Sequence, residues 1–169
     1  MRAFALVVTI CSLSLIASAA EDSESVTFSE TVAGHKIQAT LSSKPFDSKR
    51  HKITSPAPES GESVHIDGKR PIGIDRIVDA QTEFSRFEVS WDGKVVSIPR
   101  SLYSDCFNPN LRRKEGWWDD KNTVYFLPSQ DGSSLLIQMQ GSDGEGSYFA
   151  SWVITRNGKH SRFIDEEIP

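Results

Sequence analysis

Along much of the chain apolar and polar residues alternate with a period of two, and short turn signals separate the alternating runs. This is the pattern of half-buried antiparallel strands joined by tight hairpins. Val26–Val32 and His35–Leu41 flank Ala33-Gly34, which sets Phe28 opposite Ala39 and Val26 opposite Leu41. Arg86–Trp91 and Lys94–Ile98 flank Asp92-Gly93, which sets Val89 opposite Val96 and Phe87 opposite Ile98. Asp-Gly favours a two-residue type I′ turn, because both central residues take a positive φ that Gly and Asp tolerate.

The C-terminal third predicts a four-strand antiparallel meander over about residues 123–164. A turn at Asp131-Gly132 pairs Phe126 with Ile137 and Val124 with Met139. A four-residue loop, Ser142–Glu145, then pairs Met139 with Tyr148, Ile137 with Ala150 and Leu135 with Trp152. Asn157-Gly158 finally pairs Trp152 with Phe163. All of these residues share one face, and a slip of one residue would turn that face outward, so the register is strongly specified.

Between these pieces the pattern is weaker. Residues 44–62 contain Pro45, Pro56 and Pro58 among polar residues and read mostly as loop. Val64–Ile66 and Ile72–Ile77 read as short strands around Asp67-Gly68, and Pro99–Cys106 as one short helix. Asn108–Asn122 reads as a long surface loop. The Asp-Gly and Asn-Gly turns recur between segments of unequal length, which is hairpin chemistry and not a repeat. About nine short strands and at most one short helix define an all-β fold of antiparallel hairpins, either sandwich-like or a partly open barrel.

The N-terminus departs from this pattern. Arg2, the apolar stretch Ala3–Ile16 and the small residues Ala17-Ser18-Ala19-Ala20 form a secretory signal peptide, expected to be cleaved after Ala19 or Ala20. The stretch is short for a membrane span and is broken by Thr9, Ser12 and Ser14. Bulky Val8-Thr9-Ile10 before Cys11 do not suit lipidation. Removing twenty of the 169 residues leaves 149, enough for one domain at 21–169 with its own core. Loss of Arg2 takes the net charge from −4 to −5, which argues against a phosphate-backbone partner. The expected product is an exported protein, periplasmic or secreted, and soluble after cleavage.

Cys11 leaves with the signal peptide, so Cys106 has no internal disulfide partner and reads as a small buried hydrophobe. No nucleophile elbow, phosphate-binding loop or zinc helix is present. His35, His51, His65 and His160 fall one per segment, so neither a metal site nor a cofactor is expected. A Cys106/His160 nucleophilic pair lacks an activating glycine turn or an oxyanion donor nearby in sequence. Lys49-Arg50-His51-Lys52 reads as a solvated basic loop.

Two stretches remain as candidates for contact with a ligand or partner. Trp117-Trp118 lies between basic Arg112-Arg113-Lys114 and acidic Asp119-Asp120, where the indoles either cap the sheet or stack on a sugar or protein. Asp143 and Glu145 lie in the glycine-rich Gly141–Gly146, whose two carboxylates are too few for calcium and suit a tight hairpin. The functional expectation is a non-catalytic binding module with a protein or glycan partner. A small secreted hydrolase, assembled from distant Asp, Glu and His residues, is the second reading.

Overall fold

The computed structural model describes residues 24–55, 64–111, 123–142 and 146–166; the expected signal peptide lies outside them. The alternating segments form ten strands among the described residues: β1 (Glu24–Val32), β2 (His35–Pro45), β3 (Ile53–Thr54), β4 (His65–Ile66), β5 (Thr82–Trp91), β6 (Lys94–Val96), β7 (Val124–Pro128), β8 (Ser134–Gly141), β9 (Tyr148–Thr155) and β10 (His160–Asp165). All strand ladders are antiparallel. One four-stranded sheet has the order β1-β2-β5-β6 and the other β10-β9-β8-β7, while β3 and β4 form a separate ribbon. Neither large sheet closes into a barrel.

In the first sheet Val26 pairs with Leu41, Phe28 with Ala39 and Val89 with Val96. The turns at Ala33-Gly34, Asp67-Gly68 and Asp92-Gly93 each have two successive positive φ angles, the type I′ geometry. The expected pairing of Phe87 with Ile98 does not form, because β6 ends at Val96; Ile98 packs on the core from outside the ladder.

The C-terminal meander forms, with Val124 opposite Met139 and Phe126 opposite Ile137, but its later pairings differ from expectation in two places. Tyr148 pairs with Gly141, not Met139, and Met139 pairs with Ala150. The cause is the aromatic ring: a Cβ on Gly141 would lie 2.2 Å from Tyr148 Cζ, so only glycine lets the ring cross the neighbouring strand. A shift of two residues keeps every side chain on its face. The second difference does not. Trp152 pairs with Arg162, and Phe163 pairs with Ser151 and faces outward at 67% exposure. Of Asn157 and Gly158 only the glycine has positive φ, and Thr155 N–H bonds Lys159 C=O, closing a three-residue loop where two were expected. One extra loop residue reverses the parity of β10 and brings Arg162 to the inner side, where both guanidinium Nη atoms bond Asp105.

The inner faces of the two sheets share one apolar cluster: Ile37, Leu41, Phe87, Val89 and Trp91 meet Leu135, Ile137, Met139, Trp152 and Ile154. Phe28 stacks on Phe126 at 5.1 Å, Phe87 meets Trp152 edge-on at 5.1 Å, and Trp91 Nε1 donates to Gly132 O across the sheets. Such contacts make the fold a sandwich. Cys106 is buried in this core. The expected helix at Pro99–Cys106 is a single 3-10 turn, Arg100–Leu102, behind Pro99; similar turns occur at Ser48–Arg50 and Ile77–Asp79. The expected strand at Ile72–Ile77 is reduced to one bridge between Ile72 and Cys106. No helix among the described residues is long and apolar enough to cross a membrane.

Two substitutions compare a residue inward in both registers with one that the observed register turns outward. Trp152→Ala, which empties a fully buried site, lowers unfolding free energy by about 3–5 kcal/mol in urea denaturation. Phe163→Ser changes it by no more than about 0.5 kcal/mol.

Candidate functional site

The chain between β4 and β5 leaves the sheets, makes the 3-10 turn Ile77–Asp79 and re-enters at Thr82. Opposite it runs Asn108–Asn110, and together they wall an open groove of about 1000 Å³ that Glu24, Ser142 and Gly146 also line. Asn108 holds these walls together. It sits at φ 49°, a left-handed conformation that asparagine tolerates, and its side chain substitutes for backbone partners. Its Oδ1 accepts from Gln81 N–H at 2.8 Å and Thr82 N–H at 3.1 Å, while Nδ2 donates to Asp79 O at 2.8 Å. Its own backbone bonds Thr82 O and Ser142 N–H.

The charged lining is arranged in the same way. Arg76 donates from Nη2 and Nε to the two oxygens of Asp79, and its hydrogen bonds hold that carboxyl below its ordinary range. A carboxyl held ionised does not serve as a general acid. Glu24 accepts from Leu111 N–H. Asp75 and Gln81 are exposed and make no side-chain hydrogen bond among the described residues, and Val78 stands 78% exposed beside them. The groove therefore combines a pre-set polar frame with free acceptors and donors.

Away from the groove lining, the chain uses one motif twice. His35-Lys36-Ile37 meets Trp91-Asp92-Gly93, and His51-Lys52-Ile53 meets Ile66-Asp67-Gly68. In the first, His35 Nδ1 lies 2.9 Å from Asp92 Oδ2, Lys36 N–H donates to Oδ1, and Asp92 N–H returns to Lys36 O. The second repeats this with His51 Nδ1 2.8 Å from Asp67 Oδ2, Lys52 N–H on Oδ1, and Asp67 N–H on Lys52 O. In each case the histidine hydrogen bond is the main cause that lowers the Asp carboxyl.

The remaining ring nitrogen separates the two copies. His35 Nε2 meets the Arg156 guanidinium. His51 Nε2 instead lies 3.0 Å from Glu83 Oε2, and Lys44 Nζ lies 3.1 Å from Glu83 Oε1. Neither contact has hydrogen-bond angles, so His51 Nε2 and Glu83 Oε1 are buried without a hydrogen bond. His51 also stacks on Phe46 at 5.1 Å, and Phe46 meets Phe107 edge-on.

The sequence candidates fare unequally. Trp117, Trp118, Asp143 and Glu145 lie outside the described residues, although Ser142 and Gly146, which flank the last two, line the groove. Cys106 and His160 are not brought together: His160 Nδ1 faces Gly158 O, and burial pushes the Cys106 thiol up to about 12. The basic run at 49–52 splits, with Arg50 pairing to Asp47 while His51 turns inward. Among the described residues no group of three His, Cys, Asp or Glu side chains is placed to hold a metal ion. The roles of Asn108 and Glu83 had no sequence signal, but the doubled His-Lys-Ile and Asp-Gly-Lys triplets did mark the clasps.

No protein-family model matches the chain, and neither a curated protein nor a solved structure matches it.

Asn108→Gly keeps the positive φ and removes three side-chain hydrogen bonds, so it lowers stability by about 1–3 kcal/mol in urea denaturation. Acid acts on other groups. The Asp67, Asp92 and Asp131 carboxyls are all depressed, the last to about 2 by the Ser129 hydroxyl and by Ser133. Their contribution is complete above the unfolded carboxyl range and is lost as pH falls through the folded values. Melting temperature accordingly falls as pH drops from about 4 to about 2, and Asp131→Asn flattens the lower part of that curve.

Proposed function

We propose that the protein is exported and acts as a non-catalytic binding module that holds a glycan in the groove between Ile74–Thr82 and Asn108–Asn110. The observation that carries this reading is the pairing of a fixed polar frame with the free side chains of Asp75 and Gln81. Carboxylates accept from sugar hydroxyls and amides do both, so such a lining suits a neutral polyhydroxylated ligand. Glu24, Asp75 and Asp79 outnumber Arg76, which disfavours an anionic one. A protein partner would call for a larger apolar centre than Val78 provides. Pre-set hydrogen bonds also reduce the ordering cost of binding.

Export rests on the signal-peptide pattern at residues 1–20. Trp117, Trp118, Asp143 and Glu145 remain proposed contact residues, because they are close in sequence to Asn110, Ser142 and Gly146 of the groove. The hydrolase reading is disfavoured: no His or Cys lines the groove among the described residues, and Asp79 is held ionised by Arg76.

Titration with neutral cello-, xylo-, malto- and chito-oligosaccharides, followed by amide NMR shifts, tests the proposal. At least one series shifts Asp75, Arg76, Asp79 and Gln81, and Asp75→Ala weakens its Kd about tenfold or more. No response to any series, or shifts confined to another face, contradicts it.

A further inference from the structure

The two histidine clasps share backbone and aspartate geometry but differ in what faces Nε2, and the difference has a chemical consequence. A neutral imidazole has one N–H and one lone pair, whereas an imidazolium has two N–H groups. At His35 the guanidinium of Arg156 must donate to Nε2, so that nitrogen carries a lone pair and Nδ1–H bonds Asp92. At His51 carboxylates face both nitrogens, Asp67 at 2.8 Å and Glu83 at 3.0 Å. A neutral Nε2 with its lone pair beside the Glu83 carboxylate would be repelled at that distance; a positively charged ring is attracted.

The groups around His51 support its positive charge. Asp67 approaches from the β4 turn, Glu83 from β5 and Lys44 from β2, while Phe46 covers the ring face; Arg100 acts on Asp67 from further away. With His51 charged, Lys44 and His51 balance Asp67 and Glu83. Glu83 is nearly completely buried, so loss of one positive charge leaves a carboxylate short of compensation where water cannot replace it.

We propose that His51 is a proton-operated clasp that ties the β3–β4 ribbon to the sandwich when its ring carries two protons and releases it when the ring carries one. In the closed state Nδ1–H bonds the Asp67 turn and the charged ring lies against the Glu83 carboxylate by charge alone, one residue from the groove-lining Thr82. In the open state Nδ1–H keeps Asp67, the Nε2 lone pair opposes Glu83, and the ribbon retains its contact through Ile66 with Phe107 and Ile74. The clasp is independent of what occupies the groove.

The test uses the full chain and needs no ligand. Imidazole nitrogen NMR reads the protonation of each ring, and hydrogen exchange reads the Ile66 and Asp67 amides, which bond Lys69 O and Lys52 O. At about pH 5.5 the expected spectrum shows two protonated nitrogens on His51. Raised to about pH 8, His51 loses its Nε2 proton and protection of both amides, corrected for intrinsic exchange, falls about tenfold. His51→Gln and Glu83→Gln each abolish this pH response, and His35→Gln leaves it in place. A His51 ring with one bare nitrogen at the lower pH overturns the proposal. So does unchanged protection across the range, or an undiminished response in His51→Gln.

Discussion

Trp152 is where the two halves of the chain meet. Its ring, fully buried on β9, stands edge-on to Phe84 and Phe87 of β5, and its Nε1 donates to Leu102 O in the connection between the sheets. Every other feature depends on that contact between inner faces. No disulfide among the described residues supports it, so the sheets are held by apolar burial and by a few polar ties such as Trp91 to Gly132. Because those faces are built from alternate residues, the parity of each strand decides whether the core exists at all.

With the inner faces occupied, the irregular segments are left to the edges of the sandwich. Asn108 organises one of them, replacing a ladder of backbone bonds with a single side chain so that the walls of the groove stand apart from the sheets and yet stay in place. His51 organises another, holding the β3–β4 ribbon against β5 through charge where the ribbon is too short to hold itself. Loops fixed by such devices on a rigid sheet are the usual setting for recognition.

Local features of the fold were legible in the sequence. Period-two burial and type I′ turns depend on neighbouring residues, so Val26–Leu41, Val89–Val96 and Val124–Met139 could be paired by inspection. What failed depended on atoms further away. Asn-Gly is compatible with either a two-residue or a three-residue loop, and at Asn157-Gly158 the longer loop turns Phe163 outward and Arg162 inward. Gly141 falls just before the expected loop at Ser142–Glu145, and nothing near it in sequence shows the Tyr148 ring lying across it. The site was less legible still. His51 looked like part of a basic loop, because nothing near it in sequence shows Glu83 across the strands. The repeated His-Lys-Ile and Asp-Gly-Lys triplets are the one sign of the clasps that the sequence carries.

The Phe87–Trp152 pair couples the two sheets at the centre of a single cooperative core. A double-mutant cycle with Phe87→Ala, Trp152→Ala and the combined variant measures it directly by equilibrium unfolding. The expected coupling energy is about 0.5–1.5 kcal/mol, the range for an edge-on aromatic pair, within one unfolding transition. Additive effects, or separate transitions for the two sheets, would contradict it.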